Sequence, residues 1–273
     1  MRSIINPKYL DLQEFLTSLP STFDSLSATP LKSGRNEVRC LTVNNHKIVI
    51  KSFRKFSPLN RVIYGTLRQS KAVRAYYHAL RLQMLGIGTP EPIAAIDVRQ
   101  RGVLTHSFYV YAYSEYCPMQ ELLDTYPDKA LEPLLDALAD FILDVHDKGV
   151  LHNDLNILNI LYRDCGHGVY DFQMIDINRM EFHDKLSHHQ RLTNLRRFNC
   201  NPAAFLYILE RYAAVMNMDC QTTQLRGVGL RLIDTLKHEF KQRIKTLLRY
   251  EEFYICIFVL RRSFVIVCRV SSV

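Results

Sequence analysis

The chain has 273 residues, 48% of them hydrophobic, which is enough for one large domain or for two lobes that share a cleft. It has no apolar run long enough to cross a membrane, and its first 25 residues lack the apolar core of a signal peptide. Its seven cysteines are scattered without a C-x-x-C pair, which favours free thiols in a reducing compartment and argues against a zinc site.

The net charge of +8 is unevenly distributed. From Arg226 to Val273 there are ten Lys or Arg and four Asp or Glu, so this end of the chain carries +6. A basic end favours an anionic partner such as a membrane surface or a phosphorylated glycolipid, and we expect no nucleic acid partner. The alternative is that most of these side chains simply form a solvated helix surface.

The first part of the chain reads as strands with one main helix, after a short leading helix over residues 7–18. Hydrophobic patterning and turn residues predict strands at 38–43, 47–53, 93–98 and 108–114, and a helix at 70–85. Asn44, Asn45 and His46 form a hairpin turn signal, and Gly86 ends the helix. The character changes near Glu115–Pro118, where we place the boundary between the lobes.

The second part is mostly helical. A helix is predicted at 131–147, short strands at 160–162 and 172–175, and helical structure again to about residue 249. The helix at 231–249 is amphipathic and fits a core helix as well as a helix on an anionic membrane. Residues 253–270 read as strand-like, and could form an extra hairpin, an interfacial anchor or a disordered end. The predicted organisation is an α+β chain with an N-terminal lobe at 1–115, a C-terminal lobe at 116–250 and a tail at 251–273.

The strongest chemical signal follows the helix at 131–147. There His152, Asp154 and Asn159 form an H-x-D-x-x-x-x-N pattern that runs into an apolar strand, and Asp176 ends the next strand. Phosphoryl transfer needs one carboxylate that accepts the proton of the attacking hydroxyl, plus an amide and a second carboxylate that hold Mg²⁺. We therefore predict Asp154 as the base and Asn159 and Asp176 as magnesium ligands, while His152 fits a brace of the loop better than a proton carrier.

The nucleotide side of the predicted site lies upstream. Lys51 follows Ile48-Val49-Ile50 in the V-A-I-K pattern, where a lysine can neutralise phosphate charge. The segment from Tyr111 to Tyr116, including Glu115, is a candidate hinge whose backbone can bind an adenine. Gly34 is the single glycine of the segment 33–37, the candidate phosphate loop. In order along the chain, these pieces point to ATP as the phosphoryl donor.

At these residues the sequence resembles the lipopolysaccharide kinases, the Kdo kinase and core heptose kinase family of Gram-negative bacteria. The resemblance covers residues 31–200 and rests on His152–Asn156, Asn159, Ile175–Met180, and Ser70–Ala72 with Arg74 and Thr89–Pro92. It implies a two-lobed protein-kinase-like fold with a β-rich N lobe, one main helix there, and a mainly helical C lobe. It also implies a cytoplasmic enzyme at the inner membrane that uses ATP and Mg²⁺ to phosphorylate a sugar hydroxyl of a lipid A precursor.

Three departures from protein kinases bear on the function. Ile177 and Asn178 replace Phe-Gly after Asp176, and no A-P-E segment follows, which favours a glycolipid acceptor over a protein. The helix at 70–85 has no acidic residue, so Lys51 is either held by another group, such as Glu91 or Asp176, or poorly positioned. Two alternatives stay open on the sequence: a nucleotide-binding pseudokinase that acts as a scaffold at the membrane, and a protein kinase that phosphorylates its own tyrosines.

An acceptor with phosphates or carboxylates needs cations beside the base. Arginine suits this role because its planar fork binds such groups with two hydrogen bonds. Arg179, just past Asp176, is the first candidate; Arg196 is the second, with Arg191 and Arg197 on the same predicted helix. The alternative is that these arginines pair with acidic residues on the surface of the C lobe.

Overall fold

The computed structural model describes residues 1–32, 36–54, 69–119 and 126–262, and it describes side chains over the same ranges except at 32, 245 and 247–262. The strands are β1 Arg2–Ile5, β2 Thr29–Lys32, β3 Asn36–Val43, β4 His46–Phe53, β5 Pro92–Gln100, β6 Val103–Ala112, β7 Cys117–Pro118, β8 Val150–His152, β9 Ile160–Asp164, β10 Tyr170–Met174 and β11 Met180–Phe182. The helices are α1 Gln13–Thr22, α2 Lys71–Met84, α3 Glu132–Asp147, α4 His188–Leu195, α5 Pro202–Val215 and α6 Cys220–Arg262.

A six-stranded sheet with the order β1-β5-β6-β4-β3-β2 forms the N-terminal lobe. The β3–β4 hairpin turns at Asn44 and Asn45, whose φ angles of 47° and 66° fit the predicted two-residue turn. The short leading helix is longer than predicted, because it continues through Pro20 to Thr22 after a 3₁₀ turn at Pro7–Leu12. The edge strands β1 and β2 were not predicted, since each has only four residues.

The two faces of this sheet bury different partners, because successive residues of a strand point to opposite faces. On one face, Ile48 and Ile50 of β4 join a buried cluster with Leu12, Leu16 and Leu19 from the leading helical segment. On the opposite face, Phe53 belongs to the main core, which includes α2 and the helices of the C-terminal lobe. Lys51 has the same parity as Phe53, so it faces the other lobe.

The C-terminal lobe is built around α3 and α5, whose apolar faces are buried in the main core. Two hairpin-like pairs, β9–β10 and β8–β11, lie on this lobe and carry the segments around Asn159, His152 and Asp176. The architecture confirms the predicted α+β fold with a sheet lobe and a mainly helical lobe. The exact boundary after Glu115 stays a prediction.

The last helix differs from the sequence expectation. We predicted a helix at 231–249 and a strand-like tail, whereas α6 begins at Cys220 and continues to Arg262. The strand interpretation of 253–262 was wrong: β-branched and aromatic residues raised the strand signal there, but local propensity is a weak guide once a helix is already propagating. Residues 263–273 lie outside the described part. α6 packs closely on α5, because a Cβ on Gly227 would come within 2.5 Å of Cδ1 of Leu209.

Candidate active site

A cavity of about 400 Å³ lies between the sheet lobe and the helical lobe, and we call it the interlobe cavity. The sheet side contributes residues of β2, β3, β4 and β6, and the helical side contributes the segments around Asn159 and Asp176. Its lining residues are Leu31, Val38, Lys51, Phe53, Ala75, Thr89, Pro90, Tyr109, Tyr111, Pro118, Leu158, Asn159, Leu161, Ile175, Asp176, Ile177 and Asn178. Three of the predicted site residues, Lys51, Asn159 and Asp176, therefore share one cavity.

Lys51 is paired across the cavity. Its Nζ lies 2.6 Å from Oδ1 of Asp176, and only 12% of the lysine side chain is exposed. This confirms one of the two partners considered for Lys51. The other, Glu91, lies elsewhere: its carboxylate accepts hydrogen bonds from Lys8 and Tyr9. Because α2 carries no acidic residue, the carboxylate that holds the lysine comes from the opposite lobe.

The backbone around Asp176 is unusual and well anchored. Asp176 has a left-handed φ of 55°, a conformation that few residues other than Gly, Asn and Asp adopt. Its Oδ1 also accepts a hydrogen bond of 2.6 Å from Nδ2 of Asn178. On the next residue, the carbonyl of Ile177 lies 2.7 Å from Nδ1 of His78 on α2. His78 thus occupies the region where we looked for a helix acid, and it fixes α2 to this turn.

The segment from His152 to Asn159, the predicted catalytic loop, is held by hydrogen bonds to its own backbone carbonyls. Nδ2 of Asn159 donates to the carbonyl of Asp154 at 2.8 Å, and the amide of Ile175 donates to the carbonyl of Asn159 at 2.9 Å. The first bond closes the loop between Asp154 and Asn159. The second brings the start of β9 next to the end of β10, so Asn159 and Asp176 meet although 16 residues separate them in the sequence.

His152 braces this loop. Its Nε2 lies 2.9 Å from the carbonyl of Ile175, and its Nδ1 lies 3.2 Å from the amide nitrogen of Asp154. These contacts fit a neutral ring with the proton on Nε2, and burial lowers the pKa of His152, which favours that neutral form. His152 is 1% exposed and both of its ring nitrogens are engaged, which fits the predicted brace of the loop better than a group that moves a proton.

Asn159 and Asp176 fit a magnesium ion by their chemistry. Mg²⁺ prefers hard oxygen ligands and few protein side chains, with phosphate oxygens completing its shell. Since the nitrogen of the Asn159 amide is used by the Asp154 carbonyl, its Oδ1 is the atom that would bind the metal. Asp176 would bind through its carboxylate. When bound there, the ion would neutralise charge on the phosphates of a nucleotide.

The inner wall of the cavity is apolar and aromatic. Tyr109 and Tyr111 of β6 stack with ring centroids 5.0 Å apart. Burial raises the pKa of both hydroxyls, and the nearby charge of Asp176 adds to this effect for Tyr111, so both stay neutral. A flat, apolar wall beside Lys51 suits a heteroaromatic ring.

Two cofactor predictions fare differently from Lys51. The side chain of Glu115 is 77% exposed and pairs with Lys47 at 3.2 Å, and it does not line the interlobe cavity. Its side chain is therefore a surface group, whereas the prediction concerned the backbone of the hinge. The idea that the hinge backbone binds an adenine stays a prediction. Gly34 lies outside the described residues.

The structure places the four candidate arginines in different surroundings. Arg179 is exposed and does not line the interlobe cavity, because the 3₁₀ turn at Ile177–Arg179 points it outward. Arg191 is buried and bonds to Asp147 at 2.7 Å, which is the structural role we named as the alternative. Arg196 pairs with Asp234 of α6 at 3.0 Å, in a separate pocket.

Arg197 is the residue that sequence reasoning undervalued. Its Nη1 lies 3.7 Å from Oδ1 of Asp154 and donates to the carbonyl of Asn153 at 3.0 Å, while its Nε lies 3.7 Å from Oδ2 of Asp234. It is therefore the cation nearest to the predicted base among the ion pairs of the described chain. Spacing gave no signal for it, because the contact joins residues 43 positions apart.

No helix in the described part of the chain is both long and apolar enough to span a membrane. Over the same residues, no group of three or more His, Cys, Asp or Glu side chains is arranged to hold a metal ion. The predicted magnesium site would use only two protein ligands, Asn159 and Asp176, so it does not depend on such a cluster.

Comparison with family models identifies one family, and solved structures provide a comparison of the fold. The sequence model for the lipopolysaccharide kinase (Kdo/WaaP) family matches residues 36–205. A solved structure described as WaaP in complex with acyl carrier protein is similar, with a TM-score of 0.59 and 16% identity over 88% of this chain and 98% of that chain. A thermostable mutant of aminoglycoside phosphotransferase APH(4)-Ia gives a TM-score of 0.48 and 10% identity over 78% of this chain and 88% of that chain. No curated protein sequence matches the chain.

A sheet lobe and a helical lobe with a paired lysine and aspartate in the cleft between them, together with the family match, define a kinase of protein-kinase-like fold. The family match covers more than half of the sequence and spans every element from β3 to the start of α5. The chain belongs to the lipopolysaccharide kinase (Kdo/WaaP) family.

Proposed function

We propose that this kinase transfers the γ-phosphoryl group of ATP to a sugar hydroxyl, Kdo or heptose, on a lipid A or inner-core glycolipid. The observation that carries the proposal is the shared cavity: Lys51 from the sheet lobe faces Asn159 and Asp176 from the helical lobe. Lys51 would neutralise charge on the nucleotide phosphates, and Asn159 and Asp176 would hold Mg²⁺.

Asp154 would accept the proton of the attacking sugar hydroxyl. The oxygen of that hydroxyl would bond to the γ-phosphorus of ATP, while the bond between the γ-phosphorus and the β–γ bridging oxygen breaks and ADP leaves. The loop supports this role because the backbone of Asp154 is fixed on both sides. Its carbonyl accepts a hydrogen bond from Asn159, and its amide donates one to His152. The side chain of Asp154 is 39% exposed, so an acceptor can reach it.

The test is transfer of labelled phosphate from Mg-ATP to a Kdo–lipid A acceptor, for the wild type, Asp154→Asn and the exposed control Asp184→Asn. We expect Asp154→Asn to lose about 10²–10⁴-fold in kcat, the usual range for a general base, while Asp184→Asn changes little. Nucleotide binding should persist in both variants. A wild type that binds ATP but transfers no phosphate to any glycolipid would favour the pseudokinase alternative instead.

The protein kinase alternative has its own readout. The structure gives it little support, because β11 and α4 follow Asp176 closely and leave no room in the described chain for a long activation segment. Mapping of phosphotyrosine after incubation with ATP would reveal self-phosphorylation. Phosphate on the chain and none on the glycolipid would contradict the proposed acceptor.

We further propose a cytoplasmic location with peripheral contact to an anionic inner membrane through α6. The support is a row of exposed apolar side chains, Leu232, Leu236 and Phe240, on a helix that also carries Lys237 and Lys241. Flotation with anionic and neutral vesicles checks it: Leu236→Asp with Phe240→Asp should release the chain from anionic vesicles.

Acyl carrier protein, which is present in the WaaP structure, is the alternative partner for this face of α6. Release of the chain from vesicles by acyl carrier protein would favour this alternative.

A further inference from the structure

A second pocket lies next to the catalytic loop and is separate from the interlobe cavity. It has a volume of about 260 Å³ and lies between the end of α4 and the middle of α6. We call it the cationic pocket. Its polar lining consists of Arg196, Arg197, Asp234, Lys237, His238 and Lys241.

The charge of this pocket is strongly positive. Arg196 and Arg197 both pair with Asp234, so one carboxylate serves two guanidinium groups. Lys237 and Lys241 make no ion pair within the part of the chain that the structure describes. Four cations thus line a pocket that contains one carboxylate, and Arg197 also faces Asp154, so the positive potential of the pocket attracts a further anion.

The pocket is connected to the chemistry through a single side chain. Arg197 lines the pocket and its Nη1 lies 3.7 Å from Oδ1 of Asp154. It is also tied to the catalytic loop by the hydrogen bond to the carbonyl of Asn153. An anion in the pocket would therefore lie one guanidinium group away from the base, close enough to belong to the same acceptor molecule.

We propose that the cationic pocket binds a phosphate group already present on the acceptor, and thereby presents the acceptor hydroxyl to Asp154. This inference rests on the proposed function and adds an anchoring site for its substrate. Phosphate fits better than a carboxylate because its tetrahedral oxygens can accept from guanidinium donors just after α4 and from ammonium donors on α6. Arg197 is here a positioning residue, with one side toward the phosphate and the other toward the base.

Two sources of this phosphate are compatible with the geometry: a phosphorylated glycolipid in a bilayer and a soluble sugar phosphate. Ile233, which is 49% exposed, and Leu230 give the pocket an apolar side. The same phosphate chemistry applies to either source, so the experiment contains an arm for each.

The first arm measures binding without turnover, by phosphorus NMR line broadening of inorganic phosphate with the full chain. The variants are Lys237→Gln with Lys241→Gln, the control Arg226→Gln with Arg243→Gln, and Lys51→Met. The control removes the same charge from α6 at exposed positions outside the pocket. We expect the pocket variant to bind phosphate about tenfold more weakly, or about 1.4 kcal/mol, while the control and Lys51→Met retain binding.

The second arm measures transfer from Mg-ATP to Kdo–lipid A, to the same glycolipid after removal of its phosphates, and to a soluble Kdo-containing sugar phosphate. The wild type should prefer the phosphorylated form, and the pocket variant should lose the preference through a higher KM at similar kcat. Loss of the preference for the lipid form alone identifies the lipid-borne phosphate. Loss for the soluble acceptor identifies the soluble source.

The proposal is overturned if the wild type binds no phosphate, if pocket and control variants weaken binding equally, or if dephosphorylated glycolipid is an equally good acceptor. The two proposals fail in different ways. A chain that shows no transfer but loses phosphate binding in the pocket variant has the anion site without the kinase activity. A chain that transfers phosphate with unchanged preference in the pocket variant has the activity without this site.

Discussion

The interlobe cavity and the cationic pocket differ in secondary structure, burial and charge, and they are therefore expected to bind ligands in different ways. The cavity is walled by strands that are buried in the core, and the ion pair of Lys51 with Asp176 there is largely shielded from water. The pocket lies on helix surfaces, and its lysines are exposed. Shape and desolvation therefore dominate the first site, whereas net charge dominates the second, and mutations should separate the two.

The largest effect should come from Lys51→Met in the interlobe cavity. Loss of a preorganised cation on the phosphates should reduce kcat/KM about 10²–10³-fold, comparable to removal of one electrostatic donor at other active sites. The control is Lys47→Met. Lys47 lies on the same face of β4 but is exposed and pairs with Glu115. The kcat/KM of this variant should stay within about threefold of the wild-type value, because exposed ion pairs contribute little. Equal losses in both variants would mean that general charge, rather than the buried pair, supports catalysis.

Gly149→Ala tests the rigid frame of the catalytic loop. Gly149 has φ of 73°, and an added Cβ would lie 1.8 Å from the carbonyl oxygen of His183, so the backbone must move. The left-handed backbone strain and the clash together should lower the free energy of unfolding by about 4 kcal/mol. Gly166→Ala is the matched control, since its φ is 84° but an added Cβ would meet nothing within 4 Å. Chemical denaturation should show a cost of only about 1 kcal/mol there, and similar costs at both positions would contradict the clash.

Acid should lower the free energy of unfolding, because histidines that are buried in their neutral form must become charged. Burial lowers the pKa of His146 to about 4, and its ring nitrogens contact Tyr212 and Asn194. Because the folded-state pKa lies below the unfolded value of 6.5, the unfolded chain binds more protons between pH 6.5 and about 4. Stability is thus fully present above pH 6.5 and falls by up to about 3 kcal/mol as the pH drops through this window.

The check is the unfolding free energy against pH for wild type, His146→Gln and the exposed control His188→Gln. The slope below pH 6.5 should shrink in His146→Gln, whatever its stability at neutral pH, and persist in His188→Gln. His78 and His152, whose pKa values are also lowered by burial, should leave a residual slope. An unchanged slope in His146→Gln would assign the acid sensitivity to other groups.

The smallest effect should come from Asp234→Asn in the cationic pocket. The pair with Arg196 is partly exposed, so its loss should cost less than about 1 kcal/mol of stability. Removal of the competing carboxylate should at the same time strengthen binding of inorganic phosphate several-fold, about 1 kcal/mol or less. Thermal unfolding and phosphate titration check the two parts, and weaker phosphate binding would show that Asp234 holds the arginines in place for the anion.

The sequence determined the order of the active-site parts. The sequence showed the pattern around Asp154 and Asn159, the strand just before Asp176 and the strand that carries Lys51, because strand parity and motif spacing are local properties. Helix α2 and the β3–β4 hairpin were predicted within a few residues for the same reason. The helix to Arg262 was missed since local composition there favours strands.

Only the tertiary structure decided which distant side chains meet. Lys51 pairs with Asp176 and not with Glu91. The side chains of Glu115 and Arg179 lie outside the cavity, and Arg191 is buried in a structural ion pair. The tertiary structure also brought Arg197 to both Asp154 and α6, which no spacing rule encodes. Such contacts depend on how helices and sheets pack, and a shift of one turn or one register would change every one of them.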